Sequence, residues 1–389
     1  MVKRLGDIAS FRRGLTYSKG DEAPFSSKCV LRSNNINLEA NSLDLSEIKY
    51  LREDFIIPDD RKLKANSIFI CMSNGSKQHV GKVAFIEKDM DYAFGGFMGL
   101  IVPSPEVSAK FVYYACQSSA YRSFLSQVGN GIGITNLRFS DLEKFEIPLP
   151  PLAEQQRIVE ELDLLSRVIE LKNAQLRTLD ELAQSIFCEM FGEILSNEKR
   201  WDISTIGGEF KVYSGGTPDT KQPAYWENGN ISWIGSNLCQ NLVLYHNDGK
   251  FITEEGLSHS SAKVFSENFV LVALVGATIG KSALLRFKTT TNQNVAGIDV
   301  PSNDRYTSEF VYMMMRGLYP LFMNVSNGKF KMANLSFVRS LPIIKPPLSL
   351  QETFSERFSV IQRQKSNVEK SIVVAENFLA SRMDKYFNE

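Results

Sequence analysis

Apolar residues recur at alternating steps of four and three along two long stretches of the chain. In the first, Ile158, Leu162, Leu165, Ile169, Leu176, Leu179, Ala183, Ile186 and Met190 share one stripe, with Lys172 its single polar position. In the second, Phe354, Phe358, Ile361, Val368, Ile372, Ala375 and Leu379 do the same, interrupted by Lys365 and followed by Arg382 and Tyr386. Such steps average 3.5 residues, the repeat of helices that pack side by side along a seam. Each stretch opens on Pro-Pro-Leu, at Pro150-Pro151-Leu152 and at Pro346-Pro347-Leu348. Proline keeps the residue before it extended and suits the first position of a helix, so the pair marks each helix start. A helix of about forty residues is roughly 60 Å long, too long to be buried in one small domain. The pattern therefore predicts two helices that pair antiparallel between two globular parts.

Outside these helices the pattern changes. "NSIFICM" and "ENFVLVALV" are short apolar runs beside turn residues, as expected of buried strands. "SAKFVYYACQSSAYRSFL" and "TSEFVYMMMRGLYPLFM" have helical length and period. Each globular part thus reads as α+β, built on a mixed or largely antiparallel sheet.

The two parts are copies. Pro150 matches Pro346 at an offset of 196, which still holds from Phe191 to Phe387. Upstream, "RLGDIASFRRGLTY" from Arg4 parallels "TIGGEFKVYSGGTP" from Thr205, with Gly14 over Gly215 and Thr16 over Thr217. Ser33-Asn34 recurs as Ser236-Asn237, and Gly81-Lys82 as Gly280-Lys281. The order is the same in both halves, the mark of a tandem duplication of one domain plus one helix. The expected division is a first domain over 1–149, a helix over 150–192, a second domain over 193–345 and a helix over 346–389.

Composition narrows the class. At 389 residues, 43% hydrophobic and 23% charged, the chain reads as a soluble multidomain protein. The longest apolar run, residues 269–277, falls far short of the roughly 20 residues of a membrane helix. "MVKRLGDIASF" lacks the apolar core of a signal peptide. The five cysteines are scattered without metal-ligand spacing, which points to a reducing, cytoplasmic setting and to no bound metal. A net charge of zero argues against a free-standing basic nucleic-acid binder.

Catalytic motifs are weak. "GATIGKS" from Gly276 puts three residues between its glycines where a phosphate-binding loop needs four, and the adjoining "SALLRF" reads as a strand. A tight turn offering Lys82 or Lys281 to a ligand fits better. No Asn/Asp-Pro-Pro-aromatic motif for methylating a flipped base occurs. His79, His246 and His259 are isolated, and "DLEKFE" at Asp141 reads as the wet face of a short helix.

The block "IPLPPLAEQQRI" from Ile147, running into a long helix and sitting between two variable domains, resembles the central region of type I restriction-modification specificity subunits. "FKVYSGGTP" from Phe210, with a fainter counterpart at Phe11, resembles the opening of that family's target recognition domains. The second helix start departs from the pattern, with Leu350 where the family has Glu. The resemblance implies a non-enzymatic subunit without cofactor. Each domain would read one half of a split site on double-stranded DNA, and the helices would set the spacing between the halves. Adenine-methylating (M) and nuclease-translocase (R) subunits would be its partners, and no membrane is involved. A near-neutral chain fits this role if partners supply most phosphate contacts.

Side chains for base edges and phosphates are expected in exposed loops. In the first domain these are Arg12, Arg13, Arg32, Asn34, Asn35, Asn74, Lys77, Gln78 and Lys82. In the second they are Lys211, Tyr213, Lys221, Trp226, Asn237, Lys281, Asn292, Gln293, Asn294, Lys329 and Lys331. Arg suits guanine, Asn and Gln suit adenine, and Lys suits phosphate. The rival reading is a two-headed scaffold that binds proteins or glycans and has no DNA role.

Overall fold

The computed structural model describes residues 1–128, 135–301, 305–324 and 332–388. It divides into two compact units, 1–173 with 369–389, and 174–368. The cut passes through both long helices, Leu152–Phe191 and Leu348–Phe387, so each unit holds one globular domain and half of each helix.

In the first unit an antiparallel sheet runs in the order Val83–Ile86, Ser67–Cys71, Met98–Pro103, Ala9–Arg13. Ser67–Cys71 is buried throughout because alternate side chains feed two cores. Ile68 and Ile70 join Phe111 and Leu162 on the helix side, while Phe69 and Cys71 join Phe94 and Leu100 on the other. A second sheet contains one parallel pair, Lys28–Leu31 with Met90–Phe94. The second unit repeats the plan. Lys211–Ser214, Val295–Asp299, Val270–Ala273 and Ser282–Leu285 form the equivalent antiparallel array, and a fifth strand, Leu242–Leu244, joins it parallel to Ser282–Leu285. Ile231–Ile234 again pairs in parallel with Thr290–Thr291. The two predicted domain helices are each broken, into Ala109–Ala115 and Ser119–Val128 and into Ser308–Gly317 and Tyr319–Met323.

The paired prolines have a partner that periodicity does not reveal. Gln155, 2% exposed, donates to the Pro150 carbonyl at 2.8 Å and accepts from the Ser108 N–H at 3.0 Å. Gln351, fully buried, donates to the Pro346 and Arg305 carbonyls at 3.0 Å and accepts from the Thr307 N–H at 3.1 Å. Ser108 and Thr307 cap the domain helices that begin just after them. One glutamine thus staples the start of each long helix to its own domain.

Within each unit the half-helices run antiparallel. In the second, Lys365 Nζ meets Asp180 at 2.8 Å, and Phe187 and Phe191 pack on Phe354 with ring centroids 5.4 and 5.7 Å apart. Numbers rise on one helix as they fall on the other. In the first, Glu161 accepts from Tyr386 Oη at 2.6 Å and pairs with Arg382. Of the seam residues, Ile158, Leu162, Leu179, Ala183, Phe354, Phe358, Ile361, Lys365, Val368 and Ile372 are buried. Leu165, Ile169, Lys172, Leu176, Ile186, Met190, Ala375, Leu379, Arg382 and Tyr386 are half-buried.

Candidate nucleic-acid interface

The two domains build the same turn with different side chains. In the first, the Gly95 N–H donates to Leu31 O, Met98 N–H to Gly95 O, and Met72 N–H to Phe97 O. In the second, Asn292 N–H donates to Ile234 O, Val295 N–H to Asn292 O, and Leu274 N–H to Asn294 O. The neighbouring strand ends pass close beneath. A Cβ on Gly14 would lie 1.9 Å from Gly95 O, and one on Gly215 would lie 2.1 Å from Thr291 Oγ1, so neither site admits a side chain. On this shared backbone the first domain presents Gly95-Gly96-Phe97 and the second Asn292-Gln293-Asn294.

The first turn lines a groove of about 820 Å³, together with Tyr17, Arg32, Ser33, Asn34 and Asn74. Phe97 is 72% exposed there, although its carbonyl is held by the Met72 and Ser73 N–H groups. Asn74 Nδ2 donates to Ser33 Oγ at 2.8 Å, and Asn34 Nδ2 to Glu47 O at 3.2 Å. Three expected residues, Arg32, Asn34 and Asn74, thus meet in one concavity. Arg12 and Arg13 lie on the edge strand Ala9–Arg13, and Lys77 and Gln78 on an exposed turn. None of these four lines the groove.

Two first-domain expectations are corrected. Asn35 is 1% exposed, and its amide serves the Arg32 N–H and the Asp44 and Glu47 carbonyls. Lys82 is 8% exposed, with Nζ on Ile36 O at 2.7 Å, and burial holds its pKa below the ordinary value. Both are buried and brace the loop after the Ser33-Asn34 turn.

In the second domain Lys281 makes the matching reach, to Gln240 Oε1 at 2.8 Å. Trp226 donates to Asp219 O and packs edge-on against Trp233, while Tyr213 stacks on Phe269 in the core. These aromatics hold the domain together. Lys211 and Lys221 are exposed, Lys211 opposite Asp299 at the strand end far from the turn, and Asn237 is exposed beside the turn, its Oδ1 2.4 Å from the Cβ that Gly235 lacks. Lys329 and Lys331 lie outside the described residues. Sequence reasoning missed Phe97 and Thr217. The Gly-Gly before Phe97, aligned with Asn-Gln, was the available signal.

Among the described residues, no group of three His, Cys, Asp or Glu could hold a metal, and no helix is long and apolar enough to cross a membrane. Burial pushes the Cys71 thiol up to about 11 and those of Cys116 and Cys239 up to about 12, so none is a ready nucleophile. "GATIGKS" forms a single turn, Gly276–Thr278, that leads into the strand Ser282–Leu285. Gly280 has φ +76° and Gly81 has φ +84°, so the repeated Gly-Lys marks a left-handed turn rather than a phosphate loop.

A family model, the type I restriction modification DNA specificity domain, matches residues 1–181 and 198–374. The chain belongs to this family. Among relatives, the MjaIX specificity subunit of Methanocaldococcus jannaschii is 25% identical over 77% of this chain and 72% of its own length. The EcoKI specificity subunit of Escherichia coli K12 is 28% identical over 47% of this chain; the match spans 39% of that relative and 44% of the StySPI subunit of Salmonella potsdam, less than half of either. A type I restriction-modification S subunit from M. genitalium superposes with a TM-score of 0.53 at 16% identity, covering 100% of this chain and 96% of that one. A second structure, described as the basis of complex assembly and conformational transition in a type I system, gives 0.54 at 16% identity over 99% and 97%. At such identity the likeness concerns the fold. Specificity-domain membership therefore stands on the family match, and it covers both copies of the turn.

Proposed function

We propose that this chain is the non-catalytic, sequence-reading subunit of a type I restriction-modification complex. Each domain reads one half of a bipartite, asymmetric site on double-stranded DNA. The paired helices hold the readers apart, and M and R subunits dock on the same chain. The observation that carries this reading is the duplicated turn. Two copies keep the backbone bonds and exchange all three side chains at the tip, as expected of one scaffold serving two different half-sites. Two readers held at a fixed separation sense two half-sites a set number of base pairs apart. A neutral net charge is compatible with this role because partner subunits contribute phosphate contacts.

The test is a domain exchange in the complex with its methylating partners. Residues 1–145 are replaced by the matching part of a relative, and methylated sites are mapped across a genome. One half of the methylated motif changes and the other stays. Alteration of both halves, or a wild-type complex with no sequence-dependent DNA binding, overturns the proposal.

A further inference from the structure

The side chains on the second domain's turn have a hydrogen-bonding polarity that residue type alone does not give. Asn292 Oδ1 accepts from the Asn294 backbone N–H at 3.1 Å, which fixes the amide with its oxygen inward. Gln293 Oε1 accepts from Thr217 Oγ1 at 2.6 Å. Both carbonyl oxygens are thus engaged inside the domain. The Asn292 Nδ2 and Gln293 Nε2 groups donate to nothing among the described residues, and Gln293 is exposed while Asn292 is half-buried. Two neighbouring amides thus keep their NH2 donors free while their oxygens are engaged.

A free carboxamide suits adenine because it can accept from N6 while donating to N7. Here each oxygen already accepts one bond within the domain, and the groups left without a partner are the donors. In the major groove only guanine offers two acceptors, N7 and O6, on one base, whereas adenine and cytosine each place an amino donor on that edge. Resting on the DNA-reading function proposed above, we propose that Asn292 and Gln293 are specificity-determining residues that select a guanine in the half-site read by the second domain. Thr217 and the Asn294 N–H are positioning groups: they hold the two amides in the donor-outward orientation.

The experiment uses the full chain with its methylating partners and the methylated duplex site. Asn292→Asp keeps the oxygen that accepts from Asn294 but removes the outward donors, and Gln293→Glu does the same toward Thr217. Affinity is measured for the cognate duplex and for one carrying 7-deazaguanine, which lacks the N7 acceptor, at each guanine of the site in turn. For the wild type, one 7-deazaguanine position weakens binding about 10- to 100-fold. Each variant binds the natural duplex more weakly and loses most of that discrimination, while melting as the wild type does. Two results overturn the assignment: no guanine in the affected half-site, or variants that keep the full 7-deazaguanine penalty. Weakening by charge repulsion alone falls in the second class, since it lowers binding to both duplexes equally. A wild-type complex that shows no sequence-dependent binding refutes the DNA-reading function itself.

Discussion

The two ends of the helix pair are copies in sequence, yet they are fastened by different means. In the second unit the attachment is aromatic. Phe191 packs on Phe310 at 4.9 Å and on Phe354 at 5.7 Å, with Phe187 on the same partners at 5.7 and 5.4 Å. In the first unit Phe387 keeps the equivalent contact, with Phe111 at 5.0 Å, but Ile158 stands where the other copy has Phe354. A polar clasp accompanies it there: Glu161 receives Arg382 and Tyr386, with Arg382 over the Tyr386 ring at 4.9 Å and Arg157 3.6 Å from Glu161. After duplication a packing surface can trade apolar area for charged hydrogen bonds, provided that the charges reach their partners at the edge of the seam.

This contrast can be broken in order of cost. Phe191→Ala removes a 1%-exposed ring from the four-ring cluster and is expected to cost about 4 kcal/mol, against about 3 for Phe387→Ala. Calorimetric melting of the two variants gives the order, and an equal or reversed order removes the aromatic distinction. The glutamine staples come next. Gln351→Leu orphans one N–H and two carbonyls and should cost about 2–3 kcal/mol, while Gln155→Leu orphans one of each and should cost about 1–2. Denaturant midpoints check the ranking. Lys365→Met keeps the buried stem and leaves Asp180, whose side chain is 39% exposed, to water. The expected loss is about 1 kcal/mol or less. A loss of several kcal/mol would show that the pair holds the second unit as firmly as its rings do.

The smallest effect is the sharpest on the polar clasp. Hydrogen bonding from Arg382, with help from Tyr386, holds the Glu161 carboxyl below its ordinary value of 4.5. A depressed carboxylate pKa contributes stability that is fully present above the unfolded value and fades as pH falls through the folded one. Wild-type melting temperature therefore drops more steeply than that of Glu161→Gln once the pH passes below 4.5. Parallel curves would mean that the clasp adds nothing.

The architecture was legible in the sequence because duplication wrote it twice. The 3.5-residue stripe and the paired prolines each recur at one offset, and strands such as Ser67–Cys71 are apolar enough to stand out. Burial at the helix ends was not legible. Phe187, Phe191, Met383 and Phe387 are buried, one position beyond Ile186, Met190, Arg382 and Tyr386 on the stripe. A seam pattern reports one neighbour, and at its ends each helix also packs against a sheet domain on an adjacent face. The interface residues were legible only as types. Asn35 and Asn292 are both loop asparagines in sequence, and only the hydrogen bonds of the fold separate an amide turned wholly inward from one with donors to spare.

The composition of the first unit has a consequence for biosynthesis. Its core includes Met383 and Phe387 beside Phe111, Tyr114 and Leu162. At about 5–20 residues per second, a ribosome makes residues 369–388 some 10–40 s after residue 173. Throughout that interval the apolar face that receives Phe387 has no cover, and the first domain cannot complete its fold. A nascent chain arrested before residue 369 would carry an open hydrophobic surface, the feature by which chaperones and proteases recognise an unfinished protein. Completion of the first domain is thus tied in time to synthesis of the second.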